Sequence, residues 1–169
     1  EKTLEKSPYI ASAKLSAKLP HTMKITIKER KARGYVPYIG SYLYIDEEGR
    51  VLEVAGSCRD ALPLVKGLIF DSFTEGEILP VQNTDALAVI LEISQLMEKY
   101  ELLDEVVEID VSKPKDIYAY VNQVQIHLGN MTNGDMKIQY MQQIVKTIPK
   151  EDRGILDHSG LDNPKANVT

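Results

Sequence analysis

The stretch YLYIDEEGRVLEV, residues 42–54, contains two short runs of aromatic and aliphatic residues on either side of an acidic segment. Gly49 ends that segment, and glycine readily adopts the positive φ of the tight turns that join adjacent strands. The stretch therefore predicts an antiparallel β-hairpin. A short strand is predicted before it at residues 35–38, where Pro37 favours an edge position, so a folded unit begins near Gly34.

Two helices and further strands follow the hairpin. Asn83 or Thr84 is suited to cap a helix that runs to about Glu101, and Asp135 is suited to cap a second helix that runs to about Ile148. The expected buried stripe of the second helix comprises Tyr140, Met141, Ile144, Val145 and Ile148. Strands are predicted at 105–111, 116–120, 124–128 and 153–157, and a buried loop or short strand at 61–68. These elements predict an α+β domain with two helices on an antiparallel sheet.

A smaller unit precedes this domain. Residues 1–7 have the character of a helix end, which Pro8 stops because the residue before a proline avoids the α region. Residues 9–19 and the strictly alternating residues 23–29 predict a second β-hairpin around a turn at 19–22. Since two strands and a helix end cannot close a core, we expect this unit to be part of a longer domain that the chain contains only in part.

The charge is unevenly distributed between the two units. Residues 1–33 carry nine Lys and Arg against three Glu, a net charge of +6, whereas the remaining 136 residues carry eleven against twenty-two, a net charge of −11. The change of sign supports a boundary between a partial domain at 1–33 and a larger domain at 34–158. Residues 159–169, after the last predicted strand, are expected to form a flexible tail. The basic segment is either an ordinary solvated surface or a part that lies close to anionic lipid or an acidic partner.

Composition excludes several classes of protein. Of the 169 residues, 43% are hydrophobic and 27% are charged, which suits a globular core. The chain has no run of about 18 apolar residues, the length of a membrane span. The lone Cys58 excludes an internal disulfide and a cysteine-based zinc site. The net charge of −5 argues against nucleic acid as the main ligand.

The sequence predicts no catalytic residues, no metal site and no cofactor. No glycine motif matches a phosphate-binding loop. His21, His127 and His158 lack the spacing of a helical metal pair, and Cys58 has Arg59 beside it but no nearby histidine that would act as a base. The acidic residues 46–48 and the tyrosines at positions 35, 38, 42 and 44 are interpreted as turn and sheet-face residues.

The final predicted strand is the candidate binding site. It lies near the end of the sequence, and a terminal strand is often an edge strand whose unpaired N–H and C=O groups accept another chain. The candidate partner-binding residues are Arg153, Gly154, Ile155, Leu156 and Asp157. Ile155 and Leu156 point to opposite faces, so one should enter the core and the other should be available to a partner. The alternative is that this strand merely completes the sheet.

A series of short patterns occurs in order along most of the chain. The first pattern comprises Pro8, Tyr9, Ile10, Ala13, Leu19, Pro20, Thr22, Ile25, Ile27, Glu29 and Arg30. It resembles the second half of the POTRA domain of the bacterial division proteins FtsQ/DivIB. The hairpin at 42–52, the Leu-Pro-x-x-x-Gly pattern starting at Leu62 and the strand–helix–strand at 124–157 are similar to the β domain of that family. Residues 31–33, Lys-Ala-Arg, depart from its usual Pro-Val-Ala.

The resemblance implies a non-enzymatic scaffold of the divisome. Members of this family have a single membrane span, a short cytoplasmic tail, and a POTRA and a β domain outside the membrane, at the division septum. Their partners are FtsL and FtsB/DivIC-type proteins, and a partner adds to the last strand of the β domain. That strand corresponds to residues 153–157 here.

Two other interpretations remain open at this point. A POTRA-type module of protein export would bind client strands, although such modules normally occur as repeats. A small α+β hydrolase or ligand-binding protein would need a pocket with a perturbed histidine or cysteine.

Overall fold

The computed structural model describes residues 7–18, 22–59, 61–149 and 153–162. Apart from Ser7, the predicted helix end at 1–7 falls outside the described residues, as does the predicted turn except for Thr22. Within the described residues, the strands form two sheets, and two α-helices and a short 3-10 helix accompany them.

The first sheet is the predicted N-terminal hairpin. Strands β1 (Ile10–Lys18) and β2 (Thr22–Glu29) pair antiparallel, with Leu15 opposite Ile25. Because side chains alternate between the two faces of a strand, one face carries the apolar side chains and the other carries lysines and hydroxyls. The apolar side chains Leu15, Met23, Ile25 and Ile27 are exposed.

The second sheet has eight strands in the order β10-β9-β8-β7-β6-β3-β4-β5. Its strands are β3 (Gly34–Tyr38), β4 (Ser41–Ile45), β5 (Val51–Ala55), β6 (Leu64–Lys66), β7 (Glu108–Asp110), β8 (Ile117–Val121), β9 (Gln123–Gly129) and β10 (Arg153–Asp157). The helices are α1 (Thr84–Lys99) and α2 (Gly134–Val145). The predicted α+β class is therefore confirmed.

The sheet is mixed rather than purely antiparallel as predicted. Strand β10 pairs parallel to β9, and β6 pairs parallel to both β3 and β7. In the sequence, helix α1 lies between β6 and β7, and α2 lies between β9 and β10. Each helix therefore forms a crossover connection, after which the next strand runs parallel to the strand before the helix. Local alternation predicts strands but carries no information on the direction of a partner that follows a helix.

One hydrophobic core joins the helices to the sheet. Ile90 and Met97 of α1 and Met141 of α2 belong to the same buried cluster as Ile109 and Ile126 of the sheet. A smaller cluster contains Tyr35, Tyr44 and Ala55. Because residues of both helices belong to the main cluster, the helices cover the face of the sheet on which that cluster lies.

Three details differ from the helix predictions. Asn83 precedes α1 but its side chain forms no cap; its amide instead donates to the carbonyl of Gly67 and accepts from the N–H of Ile69. Asn133, in a left-handed conformation, precedes α2, and Asp135 binds Lys99 and Tyr100 at the end of α1 instead of capping. Tyr140 is 44% exposed instead of lying in the buried stripe.

The bounds of some elements also differ. The predicted strand at 105–111 is reduced to the three residues of β7, and α1 and α2 end before Glu101 and Ile148. The start of the predicted tail forms a 3-10 helix at Ser159–Asp162. The predicted strand is longer than β7 because the alternation of apolar residues in the sequence includes Val107. In the structure the side chain of Val107 is 56% exposed.

Ion pairs connect the N-terminal hairpin to the larger sheet. Arg30 lies 2.8 Å from a carboxylate oxygen of Asp46 and 2.8 Å from one of Glu48. The hydroxyl of Tyr9 donates to Glu53 at 2.8 Å. The ion pairs of Arg30 border a polar cleft of about 440 Å³, in which arginines and carboxylates pair with one another.

Candidate functional site at the free edge of the terminal strand

Strand β10 lies at one end of the eight-stranded sheet, as the sequence predicts. Its register with β9 places Arg153 beside Gln123 and Asp157 beside His127. The strand therefore has one paired side and one side that faces away from the sheet.

The main-chain groups of β10 divide between these two sides. The N–H of His158 donates to the carbonyl of His127 at 2.8 Å. Because successive residues of a strand point their main-chain groups to alternate sides, Leu156 also faces β9, whereas Ile155 and Asp157 turn their N–H and C=O groups outward. An added strand would find these groups in the spacing of a β-ladder.

The side chains of β10 divide between the two faces of the sheet. Ile155 is 71% exposed, while Leu156 is partly buried and packs against the main core. Leu156 therefore anchors the strand in the core, and Ile155 is the side chain that remains exposed. Beside the edge, Val124, Ile148 and Leu156 line a cavity of about 140 Å³.

A histidine–carboxylate cluster supports the paired side of β10. Nε2 of His127 lies 2.7 Å from Asp116 Oδ1, and Nδ1 lies 3.3 Å from Asp157 Oδ1. The imidazole stacks on the ring of Tyr118, with centroids 4.6 Å apart. Hydrogen bonds from Ser159 lower the pKa of Asp157, and His127 adds to this effect. The cluster holds the end of β10 against its neighbours.

This cluster was missed in the sequence. His127 is 11 residues from Asp116 and 30 from Asp157, and strand pairing alone brings them together. The only signal in the sequence is that His127 occupies a polar position of an alternating strand. The same is true of the ion pairs of Arg30, whose partners lie in the turn of another hairpin.

The residue after β10 is buried. His158 is 7% exposed, and the Nδ1 atom of its imidazole has no hydrogen-bond partner among the described residues. Burial lowers the pKa of His158, because the charged ring would lose its hydration, and the negative charge of Asp157 opposes this only in part.

The other candidate residues considered in the sequence, which are Cys58, His21 and Asp46, do not belong to β10 or to the His127 cluster. Cys58 is exposed, and His21 lies outside the described residues. Asp46 is buried and holds the hairpin turn, since its carboxylate accepts from the N–H groups of Glu48 and Arg50. In the ranges that the structure describes, no three His, Cys, Asp or Glu side chains are arranged to hold a metal ion.

Tyr35, Tyr42 and Tyr44 pack edge to face in the smaller cluster, as the sheet-face interpretation predicts.

Among the described helices, none is long and apolar enough to cross a bilayer.

Comparison with family models places the chain among cell division proteins. Residues 34–159 match the family described as "Cell division protein FtsQ/DivIB, C-terminal", and residues 1–30 match "POTRA domain, FtsQ-type". The first match covers the whole of the larger sheet, including β10.

Individual relatives carry the same description. The chain is 25% identical to the cell division protein DivIB of Clostridium botulinum strain Hall over 161 residues, which cover 94% of this chain and 63% of that protein. It is 26% identical to DivIB of Clostridium tetani over 133 residues, 78% of this chain and 50% of the relative. The chain thus spans less than two thirds of these relatives.

A solved structure is similar over most of the chain. It is the major extracytoplasmic domain of the trans isomer of DivIB from Geobacillus stearothermophilus, with a TM-score of 0.46 and 15% identity. The match covers 75% of this chain and 99% of that one.

Proposed function

Because the chain belongs to the FtsQ/DivIB family of cell division proteins, we propose that it is a non-enzymatic scaffold of the divisome that binds its partners by strand addition at β10. The partners proposed are FtsL and FtsB/DivIC-type proteins. The binding residues proposed are Arg153, Gly154, Ile155, Leu156 and Asp157. The single observation that carries the proposal is that β10 is the end strand of the eight-stranded sheet among the described residues, with the side chain of Ile155 exposed on it.

Strand addition suits the chemistry of this edge. The outward N–H and C=O groups of Ile155 offer two main-chain hydrogen bonds, each of which contributes about 0.5–1.5 kcal/mol net. The exposed side chain of Ile155 adds apolar area on the open face. On the other face, Gly154 leaves open space, since an added Cβ would meet nothing within 4 Å. A partner strand would therefore find main-chain groups, an apolar side chain and room for its own side chains.

The domain organisation forms part of the same proposal. We propose that residues 1–33 belong to a POTRA domain, 34–158 form the β domain and 159–169 form a tail. We place this region outside the cell membrane at the division septum, in a longer protein that a single span anchors. The matches of residues 1–30 and 34–159 to separate family models support this division.

Calorimetry with the extracytoplasmic segments of FtsL- and DivIC-type proteins tests the proposal. Ile155→Pro removes the outward N–H without removing a bond to β9, whereas Ile155→Ala keeps the N–H and removes only the side chain. We expect Ile155→Pro to weaken binding about tenfold or more, and Ile155→Ala to weaken it less.

Val107→Ala is the matched control, because Val107 is another exposed β-branched residue, before β7. Circular dichroism and thermal unfolding verify that each variant is folded. Unchanged binding by a folded Ile155→Pro variant would rule out strand addition at this edge.

A further inference from the structure

The polar face of the N-terminal hairpin has a regular composition. Three consecutive cross-strand pairs on this face are Ser12 with Lys28, Lys14 with Thr26, and Ser16 with Lys24. Each pair thus contributes one ammonium group and one hydroxyl group. These six residues, which we call the lysine face, lie on the side of β1 and β2 opposite to the apolar side chains of Leu15 and Ile25.

The lysines of this face are available to a ligand. Lys14, Lys24 and Lys28 are exposed, and none of them forms an ion pair with another described residue. Pairs two residues apart along a strand are separated by about 6.6–6.8 Å, so the lysines form a zigzag row at that step. Ser12 and Lys28, at the end near the larger sheet, also line the polar cleft that contains Glu47 and Glu98. Lys14 and Lys24 lie outside the lining of that cleft.

The composition of the face favours phosphate over protein. Ammonium and hydroxyl groups are the common donors to phosphate oxygens. Protein interfaces instead have a core of aromatic or other apolar residues and are depleted of lysine. The lysine face contains neither an apolar nor an acidic side chain.

The shape and charge of the molecule favour an extended anionic surface. The three lysines lie on one face of a two-stranded sheet and are all exposed, so several of them can reach the headgroups of one surface at the same time. Residues 1–33 carry +6 and the remainder carries −11, so an anionic surface attracts the hairpin and repels the larger domain. This separation of charge would orient the chain with the hairpin toward the surface.

We propose that the lysine face docks this chain on a membrane surface of anionic phospholipids, with Lys14, Lys24 and Lys28 contacting headgroup phosphates. This contact is separate from partner binding at β10 and does not depend on it. Each lysine near an anionic surface strengthens membrane partitioning about fivefold, and the effect falls with salt.

Vesicle sedimentation tests the proposal with the whole chain. The vesicles contain phosphatidylglycerol and phosphatidylcholine in equal parts, or phosphatidylcholine alone. We expect binding to the first kind only, weakened by added salt. The triple variant Lys14→Gln, Lys24→Gln, Lys28→Gln should reduce partitioning by about two orders of magnitude.

A second triple variant separates the face from net charge. Lys113→Gln, Lys115→Gln and Lys146→Gln remove the same three charges from exposed positions of the larger domain, and we expect partitioning to change by less than about twofold. Equal losses in the two triple variants, or equal binding to the two kinds of vesicle, would overturn the proposal.

Two soluble competitors identify the source of the anionic groups. We expect neither a polyglutamate peptide nor inorganic polyphosphate, at equal charge concentration, to displace the chain from the vesicles. Displacement by polyglutamate would indicate an acidic protein segment instead, and displacement by polyphosphate a soluble phosphate polymer. Ile155→Pro should keep full vesicle binding. A negative result for partner binding at β10 is therefore distinguishable from a negative result for membrane docking.

Discussion

Oδ1 of Asp157 lies 3.3 Å from Nδ1 of His127, so a side-chain contact reinforces the parallel pairing of β10 with β9. The partner-binding edge proposed here thus has a support on its inner side that main-chain bonds alone would not provide. His127 also contacts Asp116, which ties the support to the segment before β8.

Removing the imidazole should loosen β10 without unfolding the domain. His127→Phe keeps a ring that can stack on Tyr118 but loses both contacts to carboxylates. Since a hydrogen bond contributes about 0.5–1.5 kcal/mol net, we expect amide exchange of Leu156 to accelerate by about two- to tenfold. Hydrogen exchange measured by NMR provides the readout. An unchanged exchange rate would show that the contact does not support the strand.

The stability of the protein should fall on mild acidification because of His158. Its pKa is lowered by burial in the folded state, so the unfolded chain binds the proton more readily. Stability is then present above the ordinary histidine pKa of about 6.5 and is lost as the pH falls below it. Thermal unfolding between pH 8 and pH 5 measures this dependence. His158→Leu should flatten it, and an equally steep dependence in that variant would assign it to other groups.

Gly67, the last residue of the Leu-Pro-x-x-x-Gly pattern, should not tolerate a side chain. Its φ is +95°, and an added Cβ would be placed against the main chain of Ser112, 2.2 Å from the nitrogen. We expect Gly67→Ala to destabilise the protein by about 3 kcal/mol or more. Gly56→Ala is the matched control, since nothing lies within 4 Å of a Cβ there. Urea unfolding compares the two; similar midpoints would contradict the close approach to Ser112.

Breaking the ion pairs of Arg30 should detach the N-terminal hairpin. Asp46 is 1% exposed and keeps its two main-chain donors in the variant Arg30→Gln, so the larger domain should remain folded. We expect a loss of about 1–3 kcal/mol in the docking of the hairpin and faster proteolysis between Arg30 and Gly34. Arg59→Gln, which removes an ion pair to Glu53 within the larger domain, serves as the control. Equal proteolysis of both variants would show that Arg30 does not hold the junction.

Much of the local structure was predictable because it depends on neighbours in sequence. The hairpin around Gly49 follows from alternation and a turn residue, and the strands at 116–120 and 124–128 follow from alternation. Both pairs of strands are observed with nearly the predicted bounds. Errors occurred where a tertiary contact replaced a local one. Asn83 binds the loop after β6 and Asp135 binds the end of α1, and in both cases the distant partner outcompetes the helix cap.

By itself, the amino-acid sequence determined the α+β class, the strand and helix segments, the family, and the presence of a terminal strand with two distinct faces. Only the tertiary structure decided that β10 lies parallel to β9, that Leu156 enters the core while Ile155 remains exposed, and that Lys137 of α2 is buried where its ammonium donates to the carbonyls of Leu128 and Asn130. The physical reason is that the periodicity of a sequence distinguishes the two faces of an element but does not show which face is buried. A face becomes the inside only when other elements cover it, and those elements lie far away in the sequence.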